Sequence, residues 1–73
     1  MTIQTDRLVA DFAIALRQKL DAAELKYGYE DDSWLDTKWQ NTLKEDLRTH
    51  LEKGDPLDVA AYCAFAWRHG WSI

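Results

Sequence analysis

The sequence predicts an all-α protein: a small three-helix domain, residues 1–73, whose last two helices form an antiparallel hairpin. Apolar residues recur at spacings of three and four in two long segments, which is the period of a helix. A third segment opens with Asp-Pro and ends at a glycine, and no segment shows the alternation of a strand. The chain holds one cysteine, so no internal disulfide supports a core of this size.

The first helix is predicted over about residues 5–26. Thr5 or Thr2 could cap its start, and Gly28 ends it. Its apolar face is formed by residues at helical spacing, namely Val9, Ala13, Leu16, Leu20 and Ala23.

The second helix is predicted over about residues 34–53, with a capping-box-like start at Ser33 and Asp36. Its apolar residues follow at steps of four, so they form a ridge that winds slowly around the helix. The ridge consists of Leu35, Trp39, Leu43, Leu47 and Leu51. Lys53 and Gly54 favour a helix end there, because glycine accepts the left-handed conformation of a C-cap.

The third helix is predicted over about residues 56–69, with Asp55 as its cap and Pro56 in its first turn. Residues 59–67 read VAAYCAFAW and carry no charge, so apolar side chains point in nearly every direction. Such a helix needs cover on most sides, which favours either a central helix or the seam of a homodimer. Trp39 and Trp67 are expected in the core.

The formal net charge is −4, and residues 21–36 hold six acids against one base. An acidic chain argues against direct nucleic-acid or anionic-membrane binding as the main role. No apolar run has the length of a membrane span, and the first seven residues lack the apolar core of a signal peptide. We therefore expect a cytoplasmic protein.

Residues 27–33, YGYEDDS, are predicted as a loop, which we call the acidic loop, and it is the first candidate binding site. A solvated loop would explain its charge, but a docking patch for a basic partner surface would also use it, chiefly for encounter and specificity. Trp34 beside the loop and Trp71 after the last helix could be exposed anchors for a partner. The predicted contact residues are Tyr29, Glu30, Asp31, Asp32, Trp34 and Asp36.

The corner between the second and third helices is the second candidate. Asp55 and Asp58 could bind a metal or simply complement the start of a helix. Across a tight hairpin His50 could approach Asp58, either for acid–base chemistry or as a cap, with Glu52 as a further acid. Cys63 lies in the apolar run and is expected to act as a small hydrophobe.

Residues 47–63, LRTHLEKGDPLDVAAYC, resemble short phage proteins related to the all-α nucleotide pyrophosphohydrolases of the MazG type. Residues 26–29, KYGY, resemble the region in which many members read HKGGW, and together the similarity covers about half of the chain. The resemblance implies a magnesium site held by two acidic motifs, E-E-x-x-E and E-x-x-D. Asp55 and Asp58 stand at the positions of the second motif, with aspartate in place of its glutamate.

Residues 49–53, THLEK, stand where that family carries E-E-x-x-E, so its acidic positions fall on Thr49, His50 and Lys53. Magnesium needs several hard oxygen ligands to anchor a nucleotide. We therefore expect a non-catalytic relative without a cofactor or metal. A magnesium-dependent nucleoside triphosphate pyrophosphohydrolase, or a nucleotide-binding remnant of one, is the alternative.

The length and the four tryptophans also resemble the small phage transcription regulators that bind RNA polymerase. That resemblance implies a phage-type regulator which inhibits or redirects a host protein, with host RNA polymerase as the first partner to test. The basic surfaces with which a polymerase grips DNA would suit an acidic partner.

Overall fold

The computed structural model describes residues 2–28 and 33–73, and these form an all-α protein, as predicted. No strand occurs among them. Two short 3-10 turns, Ser33–Leu35 and Thr37–Trp39, precede the second α-helix. The α-helices are α1 (Ile3–Tyr27), α2 (Gln40–Lys53) and α3 (Pro56–His69).

Helix α1 begins and ends at signals that lie in its own sequence. The hydroxyl oxygen of Thr2 accepts a hydrogen bond of 3.2 Å from the backbone N–H of Thr5. Thr2, rather than Thr5, is therefore the N-cap, and α1 begins two residues earlier than predicted. At the other end, Gly28 adopts φ 69°, and its N–H donates to the carbonyl oxygen of Glu24.

Helix α2 begins at Gln40, later than the predicted residue 34. Asp36 has extended backbone geometry, with ψ 113°, and its carboxylate accepts a hydrogen bond of 3.0 Å from the N–H of Lys38. Aspartate side chains compete in this way with helical backbone hydrogen bonds. The segment from Ser33 to Trp39 is consequently divided into two short turns rather than forming the first turns of α2.

The corner between α2 and α3 is built as the sequence predicts. Gly54 ends α2 at φ 82°, and Asp55 caps α3 by accepting a hydrogen bond of 2.9 Å from the N–H of Leu57. Pro56 occupies the first turn of α3, where its missing N–H costs nothing. Two residues thus join the helices and hold them as a hairpin.

The core lies in this hairpin and is small. Among the described residues only four apolar side chains are buried, and they are Leu43, Leu47, Ala61 and Ala66. The two leucines are the centre of the predicted α2 ridge, whereas Leu35 and Leu51 at its ends are exposed. Leu43 is the largest fully buried side chain, at 2 % exposure.

Helix α1 packs on α3 with its C-terminal half and leaves the other half bare. Every residue from Thr2 to Ile14 is exposed, and Ala15 is the first that is half-buried. No residue of α1 is fully buried. We call residues 3–14 the α1 arm. No helix in the described ranges is long and apolar enough for a membrane span.

Candidate functional site

The predicted corner gathers four ionisable side chains, which we call the Lys19 corner: Lys19, His50, Asp55 and Asp58. Lys19 Nζ donates a hydrogen bond of 3.0 Å to Asp55 Oδ2 and lies 3.3 Å from Asp58 Oδ1. The ammonium of α1 therefore lies against both carboxylates at the start of α3. This contact ties the first helix to the hairpin.

The charges of this corner shift one another's pKa in opposite directions. The hydrogen bond from Lys19, helped by the N–H of Leu57, lowers the pKa of Asp55. The hydrogen bond to Asp55, with a further one to Asp58, raises the pKa of Lys19. Both shifts favour the charged forms, so the ion pair persists across the neutral range.

His50 approaches Asp58 across the hairpin, as the sequence suggested. Nδ1 of His50 lies 3.5 Å from Asp58 Oδ2, and the imidazole ring packs 4.9 Å from the Tyr62 ring. This Nδ1 is buried and makes no hydrogen bond to any residue that the structure describes. The separation is too long for a good hydrogen bond, although it allows an ion pair if the imidazole is protonated.

The Lys19 corner does not fit a magnesium site. Its two carboxylates already hold an ammonium group, and Glu52 is exposed outside the corner. Within residues 2–28 and 33–73, no three His, Cys, Asp or Glu side chains gather closely enough to hold a metal ion. Magnesium requires a near-octahedral set of oxygen ligands, so these residues lack the donors for it.

Lys19 was not among the site residues predicted from the sequence. It lies on the α1 face that also carries Leu16, Leu20 and Ala23, and it is the one cation among the half-buried residues of this helix. A lone cation on the packing face of a helix predicts an acidic partner on the neighbouring element. This signal could have located it.

An aromatic cluster borders the Lys19 corner, and it consists of Trp34, Trp39, Tyr62 and Phe65. Trp34 stacks on Phe65 with ring centroids 5.5 Å apart, and Trp39 lies 5.6 Å from Tyr62 and 5.5 Å from Phe65. The indole N–H of Trp39 donates to Asp46 Oδ2 at 3.1 Å. An open groove of about 810 Å³ runs between this cluster and the C-terminal half of α1.

His69 fixes the position of Trp34. Its Nε2 lies 2.7 Å from the backbone carbonyl oxygen of Trp34, and because a carbonyl only accepts, Nε2 is the nitrogen that carries the proton. The His69 ring stacks on Trp71 at 3.9 Å. Trp34 and Trp71 are therefore both half-buried in the fold, although one or both were candidates for exposed anchors.

Trp67, in contrast, is more exposed than the sequence predicted. It was predicted in the core, and that prediction is wrong, because its side chain is 77 % exposed. The side of α3 that carries Tyr62 and Phe65 faces the groove, and the buried Ala61 is also one of the residues that line it. Trp67 lies on the opposite side of the helix, which no described element covers.

Of the six residues predicted to form the acidic binding site, two lie among the residues that the structure describes. Trp34 lies in the aromatic cluster, and Asp36 caps a 3-10 turn. Tyr29, Glu30, Asp31 and Asp32 lie outside the described residues. The role of all six residues in binding a partner stays a prediction.

Comparison of the chain with protein-family models, with curated proteins and with solved structures finds no match.

Proposed function

We propose that this chain is a non-catalytic binding module that acts by direct contact with another protein, as a phage-type regulator of a host protein would. The observation that carries the proposal is Trp67, a tryptophan 77 % exposed on a regular helix. Its neighbours on that side, Ala60, Cys63 and Ala64, are half-exposed and small, so they leave the indole accessible from solvent. Tryptophans that insert into a partner's pocket dominate the binding energy of many interfaces.

The charge of the chain supports a basic partner. Residues 21–36 carry a charge of −5 within a total of −4, so the negative charge is concentrated in one segment. Such a segment speeds the encounter with a basic surface and selects against acidic ones. Host RNA polymerase, whose DNA-gripping surfaces are basic, is the first partner that we would test.

The experiment compares the full chain with Trp67→Ala and Leu51→Ala in binding to purified bacterial RNA polymerase core enzyme. Leu51 is a matched control, since it is also an exposed apolar side chain of the hairpin. We expect Trp67→Ala to weaken binding at least tenfold and Leu51→Ala to leave it within twofold. Equal affinity of both variants would remove Trp67 from the interface, and no binding by the full chain would exclude the polymerase as the partner.

A lysate pull-down with the same three proteins extends the test beyond the polymerase. A host protein that is captured by the full chain and by Leu51→Ala, but not by Trp67→Ala, would identify the partner of this surface. If no protein showed that pattern, the proposed role of Trp67 would be wrong.

A further inference from the structure

The surface of the chain is larger than a compact monomer of its mass requires. The chain exposes 5935 Å², whereas a folded monomer of 8.5 kDa exposes about 4,700 Å². Its radius of gyration is 13.3 Å, against about 11 Å for a compact domain of this length. The excess of about 1,200 Å² exceeds the roughly 800 Å² that each partner buries in a standard interface.

The α1 arm presents apolar side chains on one face. At 100° per residue, Thr5, Leu8, Val9 and Phe12 lie on the same side of α1 as Leu16 and Leu20, which are half-buried against the rest of the fold. The packing face of α1 therefore continues along the arm for about three further turns, where no described residue covers it. Leu8 and Val9 are 65 % and 55 % exposed.

We propose that a second copy of this chain covers the α1 arm, with the two arms packed antiparallel about a two-fold axis between Leu8 and Val9. The apolar face is self-complementary in that register. Leu8 faces Val9 of the second copy, and the bulky Phe12 faces the small Thr5, so large and small side chains alternate across the seam.

The charges that flank the seam allow the same register. In an antiparallel pair, residues on the same flank of the two helices meet. Asp6 then faces Ala13 of the second copy, and Asp11 faces Gln4, so no two carboxylates oppose each other. The uncharged run of α3 favoured a dimer seam on that helix, whereas the uncovered apolar face lies on α1.

A seam on α1 leaves Trp67 on α3 accessible, so dimerisation and the proposed function can be tested separately. Its first test is sedimentation equilibrium of the full chain, Val9→Glu and Ile14→Glu. Val9 and Ile14 are similarly exposed, at 55 % and 57 %, but lie about 140° apart around the helix. Since both side chains are exposed in the monomer, circular dichroism should show unchanged helix content in both variants.

We expect the full chain and Ile14→Glu to sediment at about 17 kDa, twice the 8.5 kDa of one chain, and Val9→Glu to associate at least tenfold more weakly. A full chain that stays monomeric at 100 times the concentration used for the binding assays would overturn the proposal. Equal loss of association in both variants would overturn it too, since the apolar face would then not be the seam.

Cross-linking tests the antiparallel register. In a Cys63→Ala background, the single cysteine of Val9→Cys lies next to the proposed axis and should form a disulfide between copies under mild oxidation. The cysteine of Phe12→Cys should not form this disulfide, because antiparallel arms separate the two copies of residue 12. Combining Phe12→Cys with Thr5→Cys should allow a disulfide between copies. Cross-linking of Phe12→Cys alone, as parallel arms would give, would contradict the arrangement.

Discussion

Lys19 Nζ donates a hydrogen bond of 3.0 Å to Asp55 Oδ2, across 36 residues of chain. The donor comes from the C-terminal half of α1, and the acceptor caps α3 and accepts from the N–H of Leu57 at the same time. One carboxylate therefore serves both the start of a helix and the attachment of α1 to the hairpin. Because few apolar side chains of α1 are covered, this polar attachment matters more than it would in a larger domain.

Acid should weaken the fold through Asp55. Its pKa is lowered in the folded chain, chiefly by the hydrogen bond from Lys19, so the stabilisation is present above the unfolded pKa of 3.8 and is lost as the pH falls through the lower folded value. The pKa of Lys19 is raised, so its contribution is present below 10.5 and is lost as the pH rises beyond that. Urea midpoints measured from pH 2 to pH 12 should fall at both ends.

Lys19→Met should lower the urea midpoint at pH 7 and flatten its dependence on pH at both ends. The control is Lys44→Met on the exposed side of α2, which removes the same charge without touching the Lys19 corner. If both variants followed the same pH profile, the Lys19–Asp55 pair would not contribute to stability.

Leu43→Ala should destabilise the domain severely. Leu43 is 2 % exposed, and truncation of a buried leucine costs about 2–5 kcal/mol. A domain of this length has roughly 4–11 kcal/mol of stability in total. We expect a lowered thermal midpoint and loss of near-ultraviolet circular dichroism, whereas Leu51→Ala, at an exposed position of the same helix, should change stability by less than about 0.5 kcal/mol.

Reversing the charge of the acidic loop should weaken partner binding and reduce the dependence of that binding on salt. Asp31→Lys with Asp32→Lys would remove attraction to a basic surface, so the affinity should fall and vary less between low and high ionic strength. Glu45→Lys with Glu52→Lys makes the same change in net charge on the exposed side of α2. Unchanged affinity of the loop variant for the isolated partner would exclude the acidic loop from the interface.

Nucleotides should not be hydrolysed. The carboxylates of Asp55 and Asp58 hold Lys19, and the described residues supply no third acidic ligand beside them. We therefore expect no release of pyrophosphate from the common (d)NTPs in magnesium buffer, for the full chain and for Asp58→Ala alike. Robust turnover that Asp58→Ala abolishes would instead establish the pyrophosphohydrolase alternative.

The parts of the fold that are encoded locally could be predicted from the sequence. Gly54, Asp55 and Pro56 end one helix and begin the next through their own backbone chemistry, so the corner is as expected. The start of α2 was predicted six residues too early, because the Asp36 side chain competes with helical hydrogen bonds. Periodicity alone does not reveal that competition.

The parts that depend on how the helices are placed were harder to predict. Helix α3 is apolar on nearly every side, so its sequence does not distinguish the side covered by α1 from the side left bare. Trp67 was therefore expected inside, and Trp34 was a candidate for an exposed anchor, although His69 and Phe65 draw Trp34 into the fold. The approach of His50 to Asp58 could be predicted because a short corner constrains it.

Because α1 is one unbroken helix, its bare half and its packed half rotate together as a single rod. Inserting one residue between Phe12 and Leu16 would swing the bare half by about 100° relative to the hairpin. Inserting seven residues would return the bare half almost to its original rotation about the helix axis. It would also move that half about 10 Å further from the hairpin. The number of residues in α1 therefore sets how far from α2 and α3, and in which direction, a molecule bound to its first turns is held.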